Sequence, residues 1–183
     1  FDSFSGFPPI YHEKDDLIQF EKLHKSGSIT KNHFDDTVRL KEIRELIKQT
    51  QISVQNISSS GDFSGSQLEL LQRKIELLQL DNINLVVGDF DKEMVASACD
   101  SICLALFDCD LYESYRLSLM STLPFLVENG VCYLDEYYSL KFPGAKIAVD
   151  EIVSQYKNLK LELMMREPDG FERWHIVNVG NSI

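Results

Sequence analysis

Apolar and polar positions change period several times along the chain. Over residues 37–49, Val38, Leu40, Ile43, Leu46 and Ile47 form one helical stripe, and over 67–80 Leu68, Leu71, Ile75 and Leu78 form another. LIQFEKLHK (17–25) also has helical spacing, and SGSITKN after it reads as a loop. The polar, Gly/Ser-rich stretch 52–66 contains Ile52, Val54 and Ile57, which predict a short strand. INLVVGD (83–89) predicts a buried strand ending in a Gly-Asp turn, with a short helix after it in FDKEMVASAC. SICLALFD (101–108) predicts a strand covered on both faces, and LYESYRLSLMSTLPFLVE a helix ending before Asn129-Gly130. VCYLD (131–135) is the next strand and GAKIAVDEIVSQYK (144–157) the next helix. LKLELMM and WHIVNV are joined by EPDGFE, whose Pro-Asp-Gly is a turn signal, so they predict an antiparallel hairpin at the edge of a parallel sheet. Strands alternating with helices imply a doubly wound α/β fold, in which ligands collect at the carboxyl ends of the strands.

Acids stand at those ends. Asp2, Asp89, Asp108 and the pair Asp135-Glu136 each close an apolar run. Asp108 and Asp135-Glu136 end consecutive strands, which are commonly neighbours. Three carboxylates brought together there repel one another, and a hard divalent cation such as Mg²⁺ is the expected counter-charge. Of the histidines, His12, His24 and His33 lie in polar segments and read as solvated, while His175, between Trp174 and Ile176, reads as structural. None is nominated as a base. Tyr112, Tyr137 and Tyr138 flank the acids and either shape the site or pack in the core.

Composition narrows the function classes. The 183 residues suffice for one sizeable core, and no internal repeat or long linker divides them, so residues 1–183 are read as one domain. No run approaches the roughly 18 apolar residues of a membrane span. A net charge of −11 argues against nucleic acid as a partner. Cys99, Cys103, Cys109 and Cys132 lack metal-type spacing, and Cys103 and Cys132 sit in apolar runs as small hydrophobes, which favours reduced thiols and a cytoplasmic setting.

The block FDCDLYESY, followed by LPFLVENGVCYLDEYYSLKFPGAKIAVDEIV, resembles the macrocin O-methyltransferase family. The family pattern there is acid-x-acid-Leu-Tyr-x-Ser, then Gly, a strand, paired acids, Tyr, and Gly-Ala-(basic)-x-Ala-Val-Asp-Glu. FDSFSGFP (1–8) resembles the family's Asp-Ser-Phe-x-Gly-Leu-Pro segment, and GDFSGSQLELLQRKIELL the segment leading into a helix. The likeness spans nearly the whole chain and is densest from Asp108 to Ile152.

The resemblance implies a class I, Rossmann-like methyltransferase fold and an enzyme that uses S-adenosylmethionine and a divalent cation, Mg²⁺ or another, to methylate a hydroxyl of a sugar or glycosylated natural product. Asp108, Asp135 and Glu136 would hold the metal, with Asp108 the catalytic carboxylate; Glu136 stands where the family usually has Asp. Asp2, Ser3, Phe4 and Gly6 would line the ribose and adenine side of the cofactor, with Phe63, Ser64, Gly88 and Asp89 as further cofactor contacts. Residues 9–60 would form a helical lid that selects the acceptor. The family's first strand and glycine-rich turn have no counterpart here, so the chain is expected to be N-terminally incomplete, its first residues ending a strand. A homodimer stays open. So do two rivals: a catechol-type methyltransferase, and a degenerate methyltransferase-like domain that binds a partner without catalysis.

Overall fold

Four strands form one mixed sheet in the computed structural model, which describes residues 1–65, 67–90, 95 and 98–180. They are β1 (Ile102–Phe107), β2 (Leu126–Leu134), β3 (Leu159–Arg166) and β4 (Glu172–Asn178), in spatial order β1-β2-β4-β3. β1 and β2 are parallel; β4 runs antiparallel to both β2 and β3. The architecture is thus the expected α/β type with an antiparallel C-terminal hairpin.

The described helices are α1 (Gln19–Lys25), α2 (Lys31–Lys48), α3 (Leu68–Leu77), α4 (Tyr112–Thr122) and α5 (Pro143–Val153). α4 and α5 pack together over the sheet. Tyr115, Leu119, Ala145, Ala148 and Val149 bury completely against Cys132, Leu134 and Ile176. The small side chains at 145 and 148 let α5 lie close, and GAKIAVDEIV supplies them at helical spacing. A second, smaller cluster joins Ile52, Val54 and Ile57 to Leu111 and Phe142.

Several expectations change. Among the described residues β1 is covered less than expected: Phe107 is buried, while Leu104 and Leu106 are 67% and 66% exposed, and Cys103, on the Phe107 face, is exposed too. Among the described residues, 83–89 pair through one isolated parallel bridge, Asp2 to Val87, in place of a sheet strand. Residues 52–57 form a turn, closed by Ile57 N–H on the Ser53 carbonyl (3.0 Å) and by Ser53 N–H on Asn56 Oδ1 (2.8 Å). Their apolar side chains are buried without strand pairing. The α-helix predicted through Glu128 stops at Thr122; Leu123 keeps helical geometry, and a 3-10 turn over Leu123–Phe125 follows, where Pro124 has no N–H to continue the α-helical bonding. β2 then starts at Leu126, and Asn129-Gly130 sits at an irregularity in its pairing, with Asn129 at φ 62°.

The apolar stripe on α2 is not a buried face. Val38, Ile43, Leu46 and Ile47 are exposed, while His33 and Thr37 are buried. Near its N-terminal end α2 meets Phe20 of α1 and the Ser139 backbone through His33, and its later turns meet the 52–58 segment through Leu40 and through Lys48, whose Nζ donates to the Ser58 carbonyl (2.8 Å). α3 buries no residue fully. The short helix expected over 90–99 falls largely outside the described residues. No described helix is long and apolar enough to cross a membrane.

Candidate active site

The carboxyl ends of β1 and β2 are fixed to each other by one hydroxyl. Tyr115, fully buried on α4, donates its O–H to the Phe107 carbonyl (2.9 Å), and its oxygen accepts the Glu136 N–H (3.0 Å). Asp135 N–H also donates to the Phe107 carbonyl (3.0 Å). The residues following the two strands, Asp108 and Asp135-Glu136, therefore emerge side by side. One carboxylate oxygen from each of the three lies within 4.8 Å of the others.

Burial and mutual repulsion raise the proton affinity of Asp108 and Glu136. Burial, then Asp135, pushes the Asp108 carboxyl above its ordinary range. Burial also raises Glu136, outweighing the opposing pull of Lys141, whose Nζ is 3.7 Å away. Asp135 pairs with Arg173 (3.3 Å), which also holds Glu167 (2.7 Å). Three oxygen donors at this spacing are suited to a hard divalent cation.

A fourth acid joins them. The chain reverses at 109–111, where Asp110 takes φ 57° and Leu111 N–H donates to the Cys109 carbonyl (2.6 Å). Asp110 is 8% exposed, and burial, then Glu136 and Asp108, push its carboxyl up to about 8. Cys109, between the two acids, is held as the thiol by burial, well above its usual range.

Asp108 and Asp110 line a cavity of about 530 Å³ together with Asp2, Ser3, Gly6, Phe63 and Asp89. These distant segments meet through the backbone. Asp2 N–H donates to the Val86 carbonyl (3.2 Å), Gly88 N–H to the Asp2 carbonyl (3.1 Å), and Phe7 N–H to the Asp62 carbonyl (2.8 Å). Gly6, at φ 78°, is required here, since a Cβ would come within 2.5 Å of the Asp62 carbonyl oxygen. Phe4, Ser64 and Gly88 belong to the same segments without lining the cavity; Phe4 N–H closes a turn on Asp2 Oδ1 (2.6 Å). Asp135 and Glu136 are not among its lining residues either, so Asp108 is the residue common to the cavity and the carboxylate trio.

No protein-family model and no curated protein sequence matches the chain. Solved structures do. The calicheamicin methyltransferase CalS11 superposes with a TM-score of 0.57 at 19% identity, over 96% of this chain and 58% of that one. The O-methyltransferase NovP gives 0.60 at 19% identity, over 98% of this chain and 58% of that one. The chain has a class I methyltransferase fold. It spans 58% of the length of each of these two enzymes. In this fold the cavity between the 2–6 segment and the end of β1 lies where α/β sheets gather their ligands.

None of the three tyrosines flanking the acids lines the cavity. Tyr112 and Tyr137 are buried in the main core, whereas Tyr138 is half-buried against Phe171. His33, expected in solvent, is 2% exposed, with Nε2 3.1 Å from the Ser139 carbonyl oxygen. The sequence pattern assigns no role to Asp110, which flanks Cys109 with Asp108, nor to Tyr115 or Lys141. For Asp110 the signal was present, an acid two positions after Asp108, but strict strand alternation does not foretell the left-handed turn that brings it into the cavity.

Proposed function

We propose that this chain carries the catalytic machinery of an S-adenosylmethionine-dependent O-methyltransferase acting on a hydroxyl of a sugar or glycosylated natural product with the help of a divalent cation. The observation that carries the proposal is the Asp108, Asp135 and Glu136 trio, within 4.8 Å, whose member Asp108 also lines a ligand-sized cavity on a class I methyltransferase fold. The names of CalS11 and NovP, a methyltransferase of calicheamicin and an O-methyltransferase, support the same reading.

The residues fit both groups. All-oxygen donors suit Mg²⁺ or Mn²⁺, and Asp108, Asp135 and Glu136 would hold the ion, which supplies Lewis acidity to a hydroxyl oxygen. Asp2 and Asp89 offer carboxylate acceptors for ribose hydroxyls, Phe63 offers a ring face for adenine, and the cofactor supplies the methyl group. Asp110 then has a role of its own. Its carboxyl, buried at the cavity wall beside Asp108, is placed to take the acceptor's hydroxyl proton. Leu111 and Leu117 on the cavity wall help exclude water from the reacting atoms.

The test is methyl transfer from S-adenosylmethionine to a panel of glycosides and catechols, with Mg²⁺ and with a chelator. Chelator-sensitive methylation of glycosides supports the proposal. Methylation confined to catechols would move the chain to the catechol-type class, and transfer to neither would favour a binding domain.

A further inference from the structure

The cations around the carboxylates are unequally committed. Arg173 is shared between Asp135 and Glu167 and lies over the Phe171 ring at 4.6 Å. Lys146 is taken up by Asp150 (3.1 Å) and the Tyr137 hydroxyl (2.6 Å). Lys141 is different. Among the described residues its one ion-pair partner is Glu136, at 3.7 Å, and the contact is longer than a direct hydrogen bond.

The backbone of Lys141 is nevertheless fixed. Ser139 N–H donates to the Glu136 carbonyl (3.1 Å), and the Ser139 hydroxyl accepts the N–H groups of Lys141 (3.0 Å) and Phe142 (3.1 Å). The turn that carries Glu136 therefore also carries the ammonium back to it. The side chain is 30% exposed and extends over the Phe142 ring at 5.0 Å, so its stem has room to swing away. Its charge is felt beyond Glu136: it opposes the rise in proton affinity of Asp108 and Asp110 as well.

We propose that the Lys141 ammonium is the built-in counter-ion of the carboxylate trio, competing with a divalent cation for it and so setting how tightly that cation is held. This rests on the reading of Asp108, Asp135 and Glu136 as metal ligands. An ammonium near a ligand oxygen repels an incoming dication while partly neutralising the acids that attract it. Even with the screening of bulk water, one positive charge against two at such range changes affinity roughly tenfold. The lysine also lets clustered acids fold together without an ion, at the cost of a weaker, more exchangeable site.

The experiment is calorimetric titration of the protein with MnCl₂, comparing the parent with Lys141→Met, Lys141→Gln and Lys141→Arg. Both neutral variants should bind Mn²⁺ roughly tenfold more tightly, and Lys141→Arg should stay within about threefold of the parent. A gain in affinity cannot come from loss of fold, which guards the result against misfolded variants. MnCl₂ should also raise the melting temperature further in the neutral variants than in the parent. Equal or weaker binding by cooperatively melting neutral variants overturns the counter-ion role while leaving the metal site standing. Absence of Mn²⁺ binding by the parent, unchanged in Asp135→Asn, overturns the metal reading and this inference with it.

Discussion

The Nε2 atom of His33 lies 3.1 Å from the carbonyl oxygen of Ser139, and so ties α2 to the turn that follows Glu136. The imidazole is buried, which pushes its pKa down, and Tyr138 packs edge-on against it at 4.2 Å. A neutral ring donating through Nε2–H satisfies the Ser139 carbonyl. His33→Phe keeps the volume but strands that acceptor, and is expected to destabilise the protein by about 1–3 kcal/mol in urea unfolding. His33→Gln, which restores a donor, should recover most of the loss. Equal stability of all three proteins would mean that the bond contributes nothing net.

Tyr115→Phe removes the hydroxyl that joins the ends of β1 and β2. The Phe107 carbonyl keeps the Asp135 N–H, whereas the Glu136 N–H loses its acceptor. A loss of about 1–3 kcal/mol is expected, with faster hydrogen exchange at the Glu136 amide. Unchanged exchange there would show that another group holds this N–H.

Asp15 caps α4 from outside the helix, its Oδ1 accepting the Tyr112 N–H at 2.7 Å while Oδ2 has no partner. Burial pushes its carboxyl from 3.8 up to about 6, against the opposing effect of that N–H. A raised folded-state pKa favours the protonated folded form. The contribution is therefore complete below about pH 4 and is lost as pH rises through about 6. The stability of the parent relative to Asp15→Asn should fall by about 2 kcal/mol between pH 4 and pH 7 in urea titrations. A flat difference across that window would show that Asp15 ionises normally.

Gly144 leaves the space that Asp15 occupies. A Cβ at 144 would sit 2.0 Å from Asp15 Oδ1 and 2.9 Å from the Tyr112 nitrogen. Gly144→Ala should cost about 1–3 kcal/mol, and adding Asp15→Ala should relieve part of it, a non-additivity that thermal melts of the double-mutant cycle would reveal. Strict additivity would place the clash on the Tyr112 backbone instead.

Asp110→Asn tests the proton acceptor. Turnover with a glycoside acceptor should fall by roughly 10²- to 10⁴-fold, the range for loss of general base catalysis, while Mn²⁺ affinity measured by calorimetry changes far less. A large loss of Mn²⁺ affinity would make Asp110 a ligand in place of a base.

The sheet and its chemistry were legible to different depths. Apolar runs closing in acids marked both parallel strand ends, because a buried strand must surface where its carboxylates meet water. Pro-Asp-Gly marked the hairpin. The residues that hold the site together were not legible. Tyr115 and His33 act through backbone groups 8 and 106 positions away, and local periodicity carries no trace of such partners. The stripe on α2 misled for the reverse reason: its spacing is helical, but spacing does not say whether a neighbour stands opposite. The turn at 52–57 was read as a strand because its buried side chains alternate, although Asn56 closes the backbone on itself.

The 9–60 segment meets the α4–α5 scaffold through two polar anchors, Asp15 at Tyr112 and His33 at Ser139, helped by Lys14 on Glu151 (2.7 Å), and through one apolar seam at Leu111 and Phe142. The carboxylate spacing, by contrast, is set by Tyr115 on α4, outside that segment. Among the described residues, none from 9–60 takes part in the bonds that join the ends of β1 and β2. Under the proposed function, a change in the outer segment would then alter the choice of acceptor, with the acids on the strand ends left where they are.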